Sequence, residues 1–190
     1  MARWVPGTVE RLRTAALTLF DEQGFEKTTV AQITERAGMN RRTFFHHFAD
    51  KREVVFAGQE HSEELIAAEI RGQDHGTDPL RAAVAGLQAV SDQVYEQFRE
   101  GAVVLGRVIA ASPELQEREL VKRAILADRI AAALRDRGTA DAAATVAAWT
   151  AVAIFFVARN QWNQPDNQHT LAHLIAMSRE DFLGATRPTP

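Results

Sequence analysis

The sequence predicts an all-α protein of about nine helices, and three observations carry that prediction. Apolar residues recur at intervals of three and four from Thr8 to Leu183. Alternating β-branched runs, which would mark strands, are missing. Capping residues and glycine or proline stops divide the chain at helix-length intervals, with short linkers between them. That spacing favours a compact antiparallel bundle.

The first helix reads from Thr8 to about Gln23, with Val9, Leu12, Ala16 and Phe20 on one face and Gly24 as its stop. Thr29 and Gln32 have the spacing of a capping box, in which each side chain satisfies the other residue's backbone N–H. They open a second helix whose inward stripe is Val30, Ile33 and Ala37, closed by Gly38. Asn40 caps a third. Asp50 and Glu53 repeat the capping-box spacing for a fourth helix running to about Arg71. "GQDHGTDP", Gly72 to Pro79, is the clearest loop, and Asp78–Pro79 starts the fifth helix. That helix places Leu80, Val84, Leu87, Ser91, Val94 and Phe98 along one stripe. A shorter sixth fits between Gly101 and Ala111, and the seventh runs from Ser112–Pro113 to Gly138. The eighth spans roughly Asp141 to Gln164, ahead of Pro165. The ninth runs from about Asn167 to Leu183, leaving "ATRPTP" as a disordered tail.

Composition narrows the function. At 190 residues and 46% hydrophobic content, the chain suits a small domain joined to a larger one, expected at 1–54 and 55–190. The absence of cysteine excludes a disulfide framework, thiolate metal sites and a cysteine nucleophile, and agrees with a cytoplasmic location. Charges recur through the first twenty residues, so no signal-peptide core is expected there. The net charge of −3 is unevenly spread: residues 1–52 carry nine Lys/Arg against six Asp/Glu, and the remainder thirteen against nineteen. A basic head on an acidic body suits contact between the head and something anionic.

The stretch "MNRRTFFHHFAD", Met39 to Asp50, shows what that contact requires. On a helical wheel Phe44 and Phe48 lie about 40° apart and form an inward anchor. Arg42, Thr43 and His46 then face outward, while Phe45 straddles the boundary. A capped helix, a glycine turn and a second short helix have the spacing of a helix-turn-helix. The second helix of that motif enters the DNA major groove, where arginine binds guanine bidentately and threonine offers a hydroxyl and a methyl. Thr28, Thr29 and the start of the second helix are expected to hold one phosphate, and Lys51 another.

Residues 8–55, "TVERLRTAALTLFDEQGFEKTTVAQITERAGMNRRTFFHHFADKREVV", resemble the DNA-binding domain of TetR-type (tetracycline-repressor-like) transcriptional regulators. The shared pattern includes Ala16, Phe20, Gly24–Phe25, Thr28–Thr29–Val30, Ile33, Ala37–Gly38, Thr43, Phe48 and Lys51. It covers about a quarter of the chain; the remainder matches in length and helix layout alone. The resemblance implies a recognition helix from Arg41 to His47, hence DNA contacts by Arg41, Arg42, Thr43, Phe45, His46 and His47. Many members have a tyrosine at the position of Phe45, and its hydroxyl meets a phosphate. Phe45 lacks that hydroxyl, which leaves it to pack against sugar or a thymine methyl. The family also implies a homodimer on a palindromic operator and repression relieved by a small-molecule effector.

In the body, Ala142 to Ala158 carries no charge. The run is shorter than a membrane span and alanine-rich, so it reads as a central bundle helix and no membrane partner is expected. Ala148, Val152, Phe155, Arg159 and Trp162 share one face, and Trp149, Ala153, Phe156 and Asn160 the adjacent one. One bundle does not easily cover both, which points to a second subunit; Leu171, Leu174, Ile175 and Phe182 give the ninth helix a matching stripe. Ser91, Tyr95, Phe98, Trp149 and Phe156 are candidates to line an effector pocket, with ordinary core packing as the competing role. An effector-independent architectural DNA binder is the alternative function. An enzyme is disfavoured, because nucleophile motifs and phosphate loops are missing. The one metal-like spacing, His169 and His173, lacks a glutamate between them, so no metal or cofactor is expected.

Overall fold

In the computed structural model, which describes residues 7–186, nine α-helices and no strand occur among the described residues. They are α1 (Thr8–Gln23), α2 (Val30–Arg36), α3 (Arg41–His47), α4 (Gln59–Gly72), α5 (Pro79–Val90), α6 (Arg99–Ala110), α7 (Pro113–Asp136), α8 (Asp141–Trp162) and α9 (Leu171–Ala185). The expectations for residues 1–6 and for the tail from 187 onward lie outside the described residues. Side-chain caps open the helices where short polar residues predicted them. Thr29 and Gln32 form the reciprocal capping box, Asn40 accepts from the N–H of Thr43, and Asp78 accepts from that of Arg81.

The chain divides into two compact units: Met1–Gln59 with Glu100–Glu119, and Glu60–Arg99 with Leu120–Pro190. The first holds α1, α2, α3, α6 and the opening turns of α7 around one core. Leu12, Phe20, Ile33, Phe44 and Val54 form its centre, joined by Val108, Ile109 and Leu115. Val9 departs from the predicted stripe of α1 and is exposed. The second unit holds α4, α5, α8, α9 and most of α7. Here α8 supplies the most thoroughly buried face, through Ala148, Ala151, Val152, Phe155 and Trp162.

Helix α8 is long and apolar enough to cross a bilayer, at 22 residues and a mean hydropathy of 1.7, and half of that span is buried inside the protein. Its outward side carries Val146, Trp149, Ala153 and Val157. The structure therefore corrects the two predicted faces: Phe156 belongs to the interior, whereas Trp149 points outward. The predicted stripe of α9 is likewise internal at Leu171, Leu174 and Ile175, and Met177 and Phe182 are its exposed apolar residues.

Three boundaries differ from expectation, each for a local reason. The fourth helix does not start at Asp50. Residues Glu53–Phe56 make a 3-10 turn, Ala57 is extended, and Gly58 has φ +85°, a left-handed conformation that breaks the helix before α4 begins. Asp50 still accepts the N–H of Arg52 and Glu53, so the cap is present but opens a turn. The fifth helix leaves α geometry after Val90, passing through a π-helical turn at Ser91–Tyr95 and a 3-10 turn at Glu96–Phe98. A π turn holds one residue more than an α turn and rotates everything beyond it, which is why Phe98 emerges exposed. The ninth helix starts four residues late, at Leu171. Thr170 caps it through the N–H of His173, and the side chain of Asn167 closes a preceding turn on the carbonyls of Trp162 and His169.

Close packing fixes α4 on α5. A Cβ added at Gly86 would lie 2.8 Å from Cγ1 of Ile70 and 3.0 Å from the carbonyl oxygen of Ile66. Only a residue without a side chain fits that crossing.

Candidate nucleic-acid interface

Local sequence builds the first unit's outward helix in three steps. The capping box starts α2, Gly38 ends the following turn at φ +64°, and Asn40 starts α3. The turn is pinned from outside, because Arg11 of α1 donates from Nη2 to the carbonyl of Ala37 at 2.6 Å. The N–H of Met39 also donates to the carbonyl of Thr34 at 2.8 Å. An ion pair between Arg36 and Glu22 ties α2 to α1, and its hydrogen bond holds the Glu22 carboxyl below its ordinary range. Next to α3, the side chain of Arg52 does the same for Asp50.

Helix α3 spans Arg41–His47, the expected recognition helix. Phe44 is fully buried, and Phe48, just past the helix end, packs against it with the rings tilted and their centroids 5.3 Å apart. This anchor turns Arg41, Arg42, Phe45, His46 and His47 into solvent, with Thr43 half-buried beside them. Asn40, Arg42, Thr43, Phe45 and His46 line one shallow open depression. Among the described residues, Arg41 and Arg42 form no ion pair, so both guanidinium groups face outward with their charge uncompensated. The hydroxyl of Thr43 donates to Oδ1 of Asn40 at 3.1 Å, which leaves its methyl and an acceptor lone pair for other contacts.

The two predicted phosphate threonines have different fates. Thr28 is 1% exposed, and its hydroxyl donates to the carbonyl of Gly24 at 2.8 Å while accepting from Nε2 of Gln23. It is a buried tie, and the expectation of a phosphate contact there is corrected. Thr29 is exposed, with its hydroxyl engaged by Gln32 in the capping box. Lys51 is not at a helix N-terminus. Its ammonium donates to the carbonyl of Phe25 at 2.9 Å and sits 4.0 Å above the Phe25 ring, closing the first unit on itself. Sequence reasoning missed Arg11 and Gln23, since neither occupies a position whose spacing signals a role.

The body candidates separate in the same way. Ser91 is fully buried, but its hydroxyl donates to the carbonyl of Leu87 at 2.7 Å, within its own helix, so it is no polar pocket contact. Phe98 and Trp149, each 48% exposed, are not interior walls. Phe156 is buried in the second unit, and Tyr95 is half-buried there. Tyr95 meets Phe155 edge-on at 5.8 Å, and the Phe156 ring carries two guanidinium groups, Arg123 at 3.8 Å and Arg159 at 4.3 Å. His169 and His173 stack at 4.8 Å on the surface, and no group of three metal-ligating side chains occurs among the described residues.

A capped helix, a pinned glycine turn and an outward-facing basic helix on a three-helix core define a helix-turn-helix protein. Residues 12–57 match the family model for bacterial regulatory proteins of the tetR family. The HTH-type transcriptional regulator TcmR of Streptomyces glaucescens is 38% identical over 111 residues, 58% of this chain and 48% of that protein. The uncharacterized HTH-type transcriptional regulator TtgW of Pseudomonas putida is 34% identical over 49% of this chain and 70% of its own length. The crystal structure of the Thermus thermophilus TetR-family repressor FadR, in complex with lauroyl-CoA, superposes with a TM-score of 0.55 at 21% identity. That match covers 96% of each chain. The chain belongs to the TetR family. It spans about half the length of the curated relatives it matches first.

Proposed function

We infer that this protein is a cytoplasmic, DNA-binding transcriptional regulator that acts as a homodimer on a palindromic operator. Its most direct mode is repression, released by a small-molecule effector. The observation that carries this reading is the outward face of α3. Two uncompensated arginines, a threonine and two histidines stand on a helix whose opposite side is locked by Phe44. Held in a major groove, such a face supplies phosphate attraction through its charge and base discrimination through bidentate arginine bonds. Residues 1–54 carry this role, and residues 55–190 the effector and the dimer contact. Tyr95 and Phe156, with Arg123 and Arg159 beside them, are the candidates for effector contact. Release then follows by linkage: an effector that binds the DNA-incompetent form better lowers DNA affinity by the same factor.

Selecting duplexes from a random pool tests the reading directly. A palindromic site should emerge. Arg42→Ala should weaken that site by about 1–3 kcal/mol, relax the preference at one position of each half-site, and weaken scrambled DNA less. An equal loss on both duplexes would assign Arg42 to phosphate, and no loss on either would overturn the role given to this face. An effector-independent architectural binder would select weakly and tolerate Arg42→Ala.

A further inference from the structure

We propose that Phe45 reads the C5-methyl group of a thymine in each operator half-site. The inference rests on the DNA-binding reading above and adds a specificity-determining residue to it. Phe45 is 50% exposed on α3, where its outward neighbours Arg41, Arg42, Thr43, His46 and His47 are all polar. The ring is held in place: it meets the fully buried Phe44 edge-on, with centroids 5.4 Å apart and planes at 82°. It also lines the same depression as Asn40, Arg42, Thr43 and His46.

A phenyl ring has neither donor nor acceptor, so it has nothing to offer a phosphate oxygen. In the major groove, the one apolar group on a base edge is the thymine methyl. Ring and methyl gain by leaving water together. Arg42 stands three residues before Phe45, and side chains at that spacing are neighbours on a helix surface. The shared depression therefore directs both toward the same object. Arg42 meets guanine N7 and O6, and Phe45 the methyl of an adjacent thymine.

The test uses the full-length protein and the site selected from a random pool. Each thymine is replaced in turn by uracil, which pairs identically and lacks only the methyl. One replacement per half-site should weaken wild-type binding about fourfold, the worth of burying one methyl-sized group. In Phe45→Ala the same replacement should be silent, and Phe45→Leu should retain part of the effect. Circular dichroism establishes that both variants fold, as substitution of an exposed ring permits. The methyl contact is overturned if every uracil is silent in the wild type, if the half-site holds no thymine, or if the uracil effect survives in Phe45→Ala. In those cases DNA binding itself still stands. Failure of the pool to enrich any sequence instead removes the DNA-reading role on which the contact depends.

Discussion

Lys51 makes two kinds of bond at once, and their joint contribution is measurable. Its ammonium hydrogen-bonds the Phe25 carbonyl and lies over the Phe25 ring, so the side chain holds the first unit together. Hydrogen bonds to charged groups contribute about 1.5–3 kcal/mol when shielded, and less at a half-exposed site such as this. Lys51→Met keeps the stem and removes the ammonium. It should lower Tm by about 2–4 °C. Thermal unfolding followed by circular dichroism checks this, and an unchanged Tm would return Lys51 to a purely phosphate-facing role. At this scale the sequence was only partly legible. Thr28 and Thr29 are adjacent and chemically identical, yet one is buried under Leu19 and Gly24 while the other caps α2. The capping partner Gln32 sits three residues away and could be read from spacing. The burying partners belong to the fold and could not.

At the level of elements, helices with strong caps were readable, and interruptions without a sequence signal were not. The bounds of α2, α3 and α7 follow Thr29, Asn40 and Pro113, whose effects are local. The π turn at Ser91–Tyr95 has no such marker, and so the stripe drawn from Leu80 to Phe98 stays inward through Ser91 and fails beyond it. Glycine gives a sharper contrast, because its role depends on what surrounds it. Gly101 lies in α6 with nothing within 4 Å of an added Cβ, whereas the same atom at Gly86 would strike Ile70 and the backbone of Ile66. Gly101→Ala should raise stability by about 0.5–1 kcal/mol through helix propensity. Gly86→Ala should instead lower it by about 1–3 kcal/mol as α4 is forced off α5. Urea denaturation of the two variants decides the matter, and equal signs would sink the packing argument.

For the whole molecule, the all-helical class followed directly from apolar spacing, because that spacing is set by backbone geometry. Which α8 residues turn outward depends on how α5 and α9 pack on it, so Phe156 and Trp149, expected on one face, part into the interior and the surface. That separation changes the test of the inferred homodimer. Phe156→Glu would put a charge inside one protomer and report on folding alone. Trp149→Glu with Val157→Glu, on the exposed stripe, should leave helical content intact and convert a dimer to a monomer. Light scattering at micromolar concentration reads the result. A wild-type protein that is already monomeric there would end the dimer model.

The same stripe ties regulation to supply. A chain that must meet a second copy before it grips both half-sites occupies its operator in proportion to the square of its own concentration, as long as the monomer predominates and the operator is far from saturated. Halving synthesis then lowers occupancy about fourfold, where a one-chain binder would lose half. Val146, Trp149 and Val157 would thereby make gene dosage an input to the switch, acting before any effector arrives.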